Sequence, residues 1–230
     1  MIARKFEYQS RPRLILQIGA FAAVFHLLLA MALMSAATAS AASPIRIVAF
    51  GDSLTAGYRL APSEAFPVRL ETALRARNVD VKVENAGVSG DTTASGLARL
   101  DWAVPPATDI VILELGANDA LRGVDPKVTR NNLEIIIAQL KAKGAKVLLA
   151  GMLAPKNWGD DYARSFDAIF PELAQVHGLA LYPFFLDGIA LRADLNLDDG
   201  LHPNAKGVDA IVERILPHIE KLVHTVSAKR

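Results

Sequence analysis

From residue 45 onward, short apolar runs alternate with longer stretches in which apolar residues recur three and four positions apart. The runs at 45–50, 79–83, 109–115, 146–151 and 179–182 are rich in Val, Ile and Leu and mostly stop at Gly, Pro, Asn or Asp, which predicts five strands. Helical spacing occupies 65–77, 92–102, 126–143 and 160–177, and a last amphipathic helix is predicted from 203 to about 223, with Pro203 at its first position. Strands and helices in strict alternation imply a parallel sheet covered on both faces, a three-layer α/β/α domain. In such a sheet the site lies beyond the carboxyl ends of the strands.

The first 41 residues fall outside this pattern. Arg4, Lys5, Arg11 and Arg13 precede an almost wholly apolar run at 14–34, and Ala39-Ser40-Ala41 supplies a small-x-small cleavage site. We read residues 1–41 as a signal peptide and 42–230 as one domain, exported to the periplasm or secreted. The apolar run is also long enough to span a bilayer, so an uncleaved anchor is the competing reading, with Gln17 and His26 weighing against it. Four of the 25 Lys/Arg and one of the 24 Asp/Glu lie in this leader, which leaves a formal net charge of −2 on the rest. That balance gives no electrostatic reason for nucleic-acid binding. Cysteine is absent, which removes disulfides, thiol nucleophiles and thiolate metal sites from consideration.

Candidate chemistry gathers at the ends of the predicted strands. The first strand stops at Gly51-Asp52-Ser53-Leu54, where a glycine turn presents a serine. A serine hydroxyl needs a base and oxyanion donors before it is a nucleophile, and a serine capping a helix would look the same. Of the five histidines, His26 is in the leader, His177 precedes a helix-ending Gly178, and His218 and His224 ride on the last amphipathic helix. Only His202 falls in a strand-end loop. Asp198 and Asp199 both lie close enough in sequence to orient its imidazole.

Gly51-Asp52-Ser53-Leu54-Thr55-Ala56-Gly57-Tyr58, Gly87-Val88-Ser89-Gly90-Asp91-Thr92, Gly116-Ala117-Asn118-Asp119 and Asp199-Gly200-Leu201-His202-Pro203 follow one another in this order. The set resembles the four blocks of the SGNH (GDSL) hydrolases, and within them the bacterial periplasmic thioesterase I/lysophospholipase L1 and arylesterase branch. The resemblance implies a flavodoxin-like fold and serine esterase or thioesterase activity through an acyl-enzyme. It also implies a triad of Ser53, His202 and Asp199, the acid standing three residues before the histidine. Ser53 N–H, Gly90 N–H and the Asn118 side-chain amide are the implied oxyanion donors, a glycine at 90 letting substrate approach the main chain. Asp52 and Asp119, inside the same blocks, are expected to stabilise turns.

The segment Phe184, Phe185, Leu186 and Ile189 is too apolar for a solvated loop, and it either lines an acyl groove or packs into the core. Trp158, with the segment from Met152 to Gly159, is expected to form the facing wall or a mobile flap. The expected substrates are small acyl esters (aryl or alkyl), acyl thioesters or lysophospholipids, with no cofactor and no metal. Membrane contact is expected only through the leader or a lipid substrate, and the oligomeric state is left open. A metal-dependent hydrolase and a non-catalytic envelope binding module are the alternatives. The first would need clustered ligands, and no His-Glu-x-x-His occurs.

Overall fold

The computed structural model describes residues 43–228, so the leader lies outside the described residues. Five parallel strands, β1 (Ile45–Gly51), β2 (Val81–Gly87), β3 (Ile110–Glu114), β4 (Lys146–Ala150) and β5 (Ala180–Tyr182), form one sheet in the order β2-β1-β3-β4-β5. The four-residue turn of helix α1 (Ser53–Ala56) and helix α2 (Phe66–Arg75) link β1 to β2, and α3 (Thr93–Ala103) links β2 to β3. Helices α4 (Ala117–Leu121) and α5 (Pro126–Ala142) lead to β4, α6 (Asp160–Asp167) and α7 (Ile169–His177) to β5, and α8 (Ala205–Ser227) closes the domain.

Right-handed crossovers dictate the layers. The step from β1 to β2 runs one way along the sheet and the later steps run the other, so α2 lies on one face and α3, α5 and α7 on the opposite one. Helix α8 packs on α2, β1, β4 and β5, while α5 packs on α3 and α7. The central strands β1, β3 and β4 are buried on both sides, which is why they read as continuous apolar runs. The winding of the chain across the sheet reverses between β1 and β3, and the carboxyl ends at that switch point are where such a sheet places a site.

Three boundaries differ from those predicted. Strand β2 begins at Val81 and continues through polar Glu84 and Asn85 to Gly87, because it is an edge strand whose main chain pairs with β1 as far as Gly51. The helix predicted at 160–177 is two helices. Pro171 has no N–H, and its ring would clash with the carbonyl of Asp167, where α6 ends. The last helix starts at Ala205, not at Pro203. Asn204 is its cap, accepting from Gly207 N–H at 3.0 Å, and Pro203 instead bridges to Asn196.

The loop after β5 turns back into the core. Phe185 is fully buried and meets Phe66 edge-on at 5.1 Å between ring centroids, and Ile189 is equally buried. Truncating such a ring leaves a cavity between α2 and the sheet. Phe185→Ala is expected to lower unfolding free energy by about 3–5 kcal/mol in denaturant titration. An unchanged midpoint would show that the ring contributes nothing to packing.

Candidate active site

The serine is placed by a turn with little freedom. At the end of β1, a Cβ on Gly51 would lie 2.2 Å from Thr55 Oγ1 and 2.4 Å from Glu114 Oε2, so only glycine lets these side chains close over the strand end. Asp52 caps α1 by accepting from Leu54 N–H at 3.0 Å, and Ser53 is the first helical residue, nearly buried. The turn rests on the end of β2, where a Cβ on Gly87 would come within 2.3 Å of Ala56 N.

The histidine arrives from 149 residues away: His202 Nε2 lies 2.9 Å from Ser53 Oγ. Its Nδ1 lies 2.8 Å from Asp199 Oδ2, while Asp199 Oδ1 accepts from the N–H groups of Leu201 (2.9 Å) and His202 (3.0 Å). Those donors, the His202 N–H foremost, hold the Asp199 carboxyl down at about 2. The rival acid, Asp198, has no such contact with the ring. Asn196 donates to the carbonyls of Ile189 and Arg192, and Asn204 to those of Asp194 and Asn196, so the loop that carries His202 is pinned from below. The Tyr58 ring packs against the imidazole at 4.4 Å between centroids.

The implied oxyanion donors come from the neighbouring strand ends. Gly90 has φ +88°, and among the described residues its N–H has no protein acceptor; its carbonyl accepts from Arg122 Nη2 at 3.0 Å. Asn118, at the start of α4, donates to Asp52 Oδ2 (3.1 Å) and to the Asp91 carbonyl (3.0 Å), which fixes the plane of its amide. Arg99 ties these loops together. It donates to Asp91 Oδ2 (2.5 Å) and to the Gly51 carbonyl (2.9 Å), and its guanidinium lies 4.3 Å from the centre of the Phe50 ring. Asp119 accepts from Thr93 N–H and from the hydroxyls of Thr93 and Thr129, so both motif aspartates hold turns.

A cavity of about 390 Å3 opens beside Ser53, Asn118 and His202, and its walls are otherwise apolar. Ala117, Ala120 and Leu121 form one side, the segment from Met152 to Pro155 another, and Phe184, Leu186, Ala190, Leu191 and Leu201 the rest. Three of the predicted wall residues are elsewhere. Phe185 and Ile189 point into the core, because successive residues along the turn face opposite sides, and their neighbours Phe184, Leu186 and Ala190 take the cavity side. Trp158 covers Gly123 and donates its indole N–H to the Ala120 carbonyl at 2.9 Å, so it buttresses the wall from behind. Leu121 and Leu201, which do line the cavity, carry no signal in the sequence beyond standing next to the motifs. Among the described residues no cluster of three His, Cys, Asp or Glu is arranged to hold a metal ion.

The chain is similar in sequence and fold to known proteins. The chain is 38% identical over 195 residues to an arylesterase of Vibrio mimicus, covering 84% of this chain and 98% of that protein. It is 37% identical over 188 residues to thioesterase 1/protease 1/lysophospholipase L1 of Escherichia coli K12, covering 81% and 89%. The crystal structure of AlinE4, an SGNH-hydrolase family esterase, superposes with a TM-score of 0.67 at 44% identity, covering 79% of this chain and 98% of that one. The GDSL-like lipase/acylhydrolase family model matches residues 49–210, a span that runs from the end of β1 past His202, and the chain belongs to that family.

Proposed function

We propose that this hydrolase cleaves acyl esters and thioesters through an acyl-enzyme on Ser53 and, given the leader, does so in the periplasm or outside the cell. The observation that carries the reading is the unbroken path from Ser53 Oγ to His202 Nε2 and from Nδ1 to Asp199, at the mouth of an apolar cavity. Asp199 keeps a proton on Nδ1, which leaves Nε2 free to take the serine proton and later return it to the leaving group. Ser53 attacks the acyl carbon, and the negative charge that develops on the carbonyl oxygen meets the N–H groups of Ser53 and Gly90, with the Asn118 amide turning one N–H from Asp52 or the Asp91 carbonyl onto it. The leaving alcohol or thiol departs with the proton from His202. Water, deprotonated by the same histidine, then releases the acid.

We take the cavity as the acyl side. Its walls offer no charge and few hydrogen bonds, so each buried methylene adds up to ~0.8 kcal/mol and the head of the substrate is recognised only at the reacting carbonyl. An arylesterase and a thioesterase among the relatives fit a site that is strict about the acyl chain and tolerant of the leaving group.

Ser53→Ala should abolish turnover and fluorophosphonate labelling with an unchanged melt, and His202→Ala should lower kcat by about 10⁴ or more. Turnover at the wild-type rate by either purified variant would refute the assignment. Since Asp199 stays ionised down to about 2, it does not set the acid limb of the pH profile; His202 must be neutral to act as base, and Asp52, which burial raises to about 6, also gains a proton there. kcat/KM is expected to fall on acidification below neutrality, and a profile without any acid limb would exclude a histidine base. Among acetyl, hexanoyl and dodecanoyl esters, kcat/KM should rise with length until the cavity is full. Phe184→Ala should shift that optimum, and a profile independent of length in the wild type would remove the cavity from acyl recognition.

A further inference from the structure

Two buried carboxyl groups lie under the serine turn and take no part in the proton transfers described above. Glu114, the last residue of β3, is fully buried, and its Oε2 accepts from the Asp52 N–H at 3.2 Å and from the Thr55 hydroxyl at 2.7 Å. These donors stand one residue before and two residues after Ser53. The other oxygen, Oε1, is buried with no hydrogen-bond partner among the described residues. A carboxylate with one bare oxygen is poorly tolerated in such surroundings, whereas a neutral carboxyl is acceptable. Burial, reinforced by the charge of Asp52, pushes the Glu114 carboxyl well above its ordinary range. Asp52 is buried as well, and burial raises it to about 6, but it receives the Leu54 N–H and the Asn118 amide, so the charge of the pair settles there.

We propose that Glu114 is a positioning residue: through the main chain at Asp52 and the hydroxyl of Thr55 it clamps the Ser53 turn to the end of β3. Because Asn118 follows four residues later on the same strand end, the clamp sets Ser53 in register with the loop that carries this oxyanion donor. Asp52 completes the link, its N–H held by Glu114 and its carboxylate held by Asn118. The inference rests on Ser53 being the nucleophile, and it adds a residue that touches neither substrate nor His202.

The test compares Glu114→Gln, Glu114→Ala, Thr55→Val and Thr55→Ser by steady-state kinetics on a hexanoyl ester, fluorophosphonate labelling rate and thermal melts. The glutamine amide oxygen can accept both hydrogen bonds without charge, so Glu114→Gln should keep kcat within about threefold, while Glu114→Ala should lower kcat and the labelling rate by about 10–100-fold with KM nearly unchanged. Thr55→Val removes one arm of the clamp without opening a large cavity, so it should show a smaller fall of the same kind, which Thr55→Ser restores. If Glu114→Ala does not fold, the Thr55 pair decides. Glu114→Gln as slow as Glu114→Ala, or a folded Thr55→Val with wild-type kcat, would overturn the clamp. An active Ser53→Ala would instead overturn the assignment on which it rests.

Discussion

Everything at this site depends on the parallel pairing that stops β1, β2 and β3 at one level. Gly51 stands opposite Gly87 on one side and Glu114 on the other, so the three chain segments leave the sheet side by side. Each then turns within a few residues to present Ser53, Gly90 or Asn118. The pairing is strong because β1 and β3 are buried on both faces, where no water competes for their main-chain hydrogen bonds. It also demands glycine at two adjoining ends, since side chains there would occupy the space that α1 and Thr55 fill.

Burial at the strand ends has a second consequence. The groups that tie the loops together, Asp52, Glu114, Asp91, Arg99 and Asp119, are nearly all out of contact with water. Each is matched to donors or acceptors on a different loop, so displacing one loop would strand polar groups on the others. The result is a set of loops whose relative placement is fixed by the fold before any substrate arrives, which supports the proposed stabilisation of an oxyanion. Asp199 is the exception. It is largely exposed, and it is held ionised by main-chain N–H groups rather than by burial, which suits a residue that must keep its charge opposite the imidazole.

The apolar cavity and the polar loops divide the work. In the proposed reaction the loops fix the reacting atoms and the cavity supplies binding energy, and the two meet at Ser53, Asn118 and His202. The segment after β5 serves both. Phe184 and Leu186 face the cavity while Phe185 and Ile189 anchor the same turn in the core, so the side chains that would meet an acyl chain are distinct from those that hold the fold.

The sequence by itself determined the layered α/β architecture, because doubly buried strands must be apolar throughout and amphipathic helices must recur at 3.6 residues. It also isolated His202, the one histidine in a strand-end loop, whereas Ser53 was told apart from a helix-capping serine only through the four-block resemblance. It could not divide the stretch at 160–177 in two, because the steric conflict at Pro171 competes with a helical pattern that continues across it. Nor could it separate Asp198 from Asp199 without the family resemblance, and it gave Phe184 and Phe185 the same standing. The three-dimensional fold decided these, because which way a loop side chain points is set by packing against α2 and the sheet rather than by any local period. The buried role of Glu114 was equally hidden. At the end of an apolar strand it reads as the point where the strand meets solvent, and only the closure of α1 over β3 turns it into a group without water.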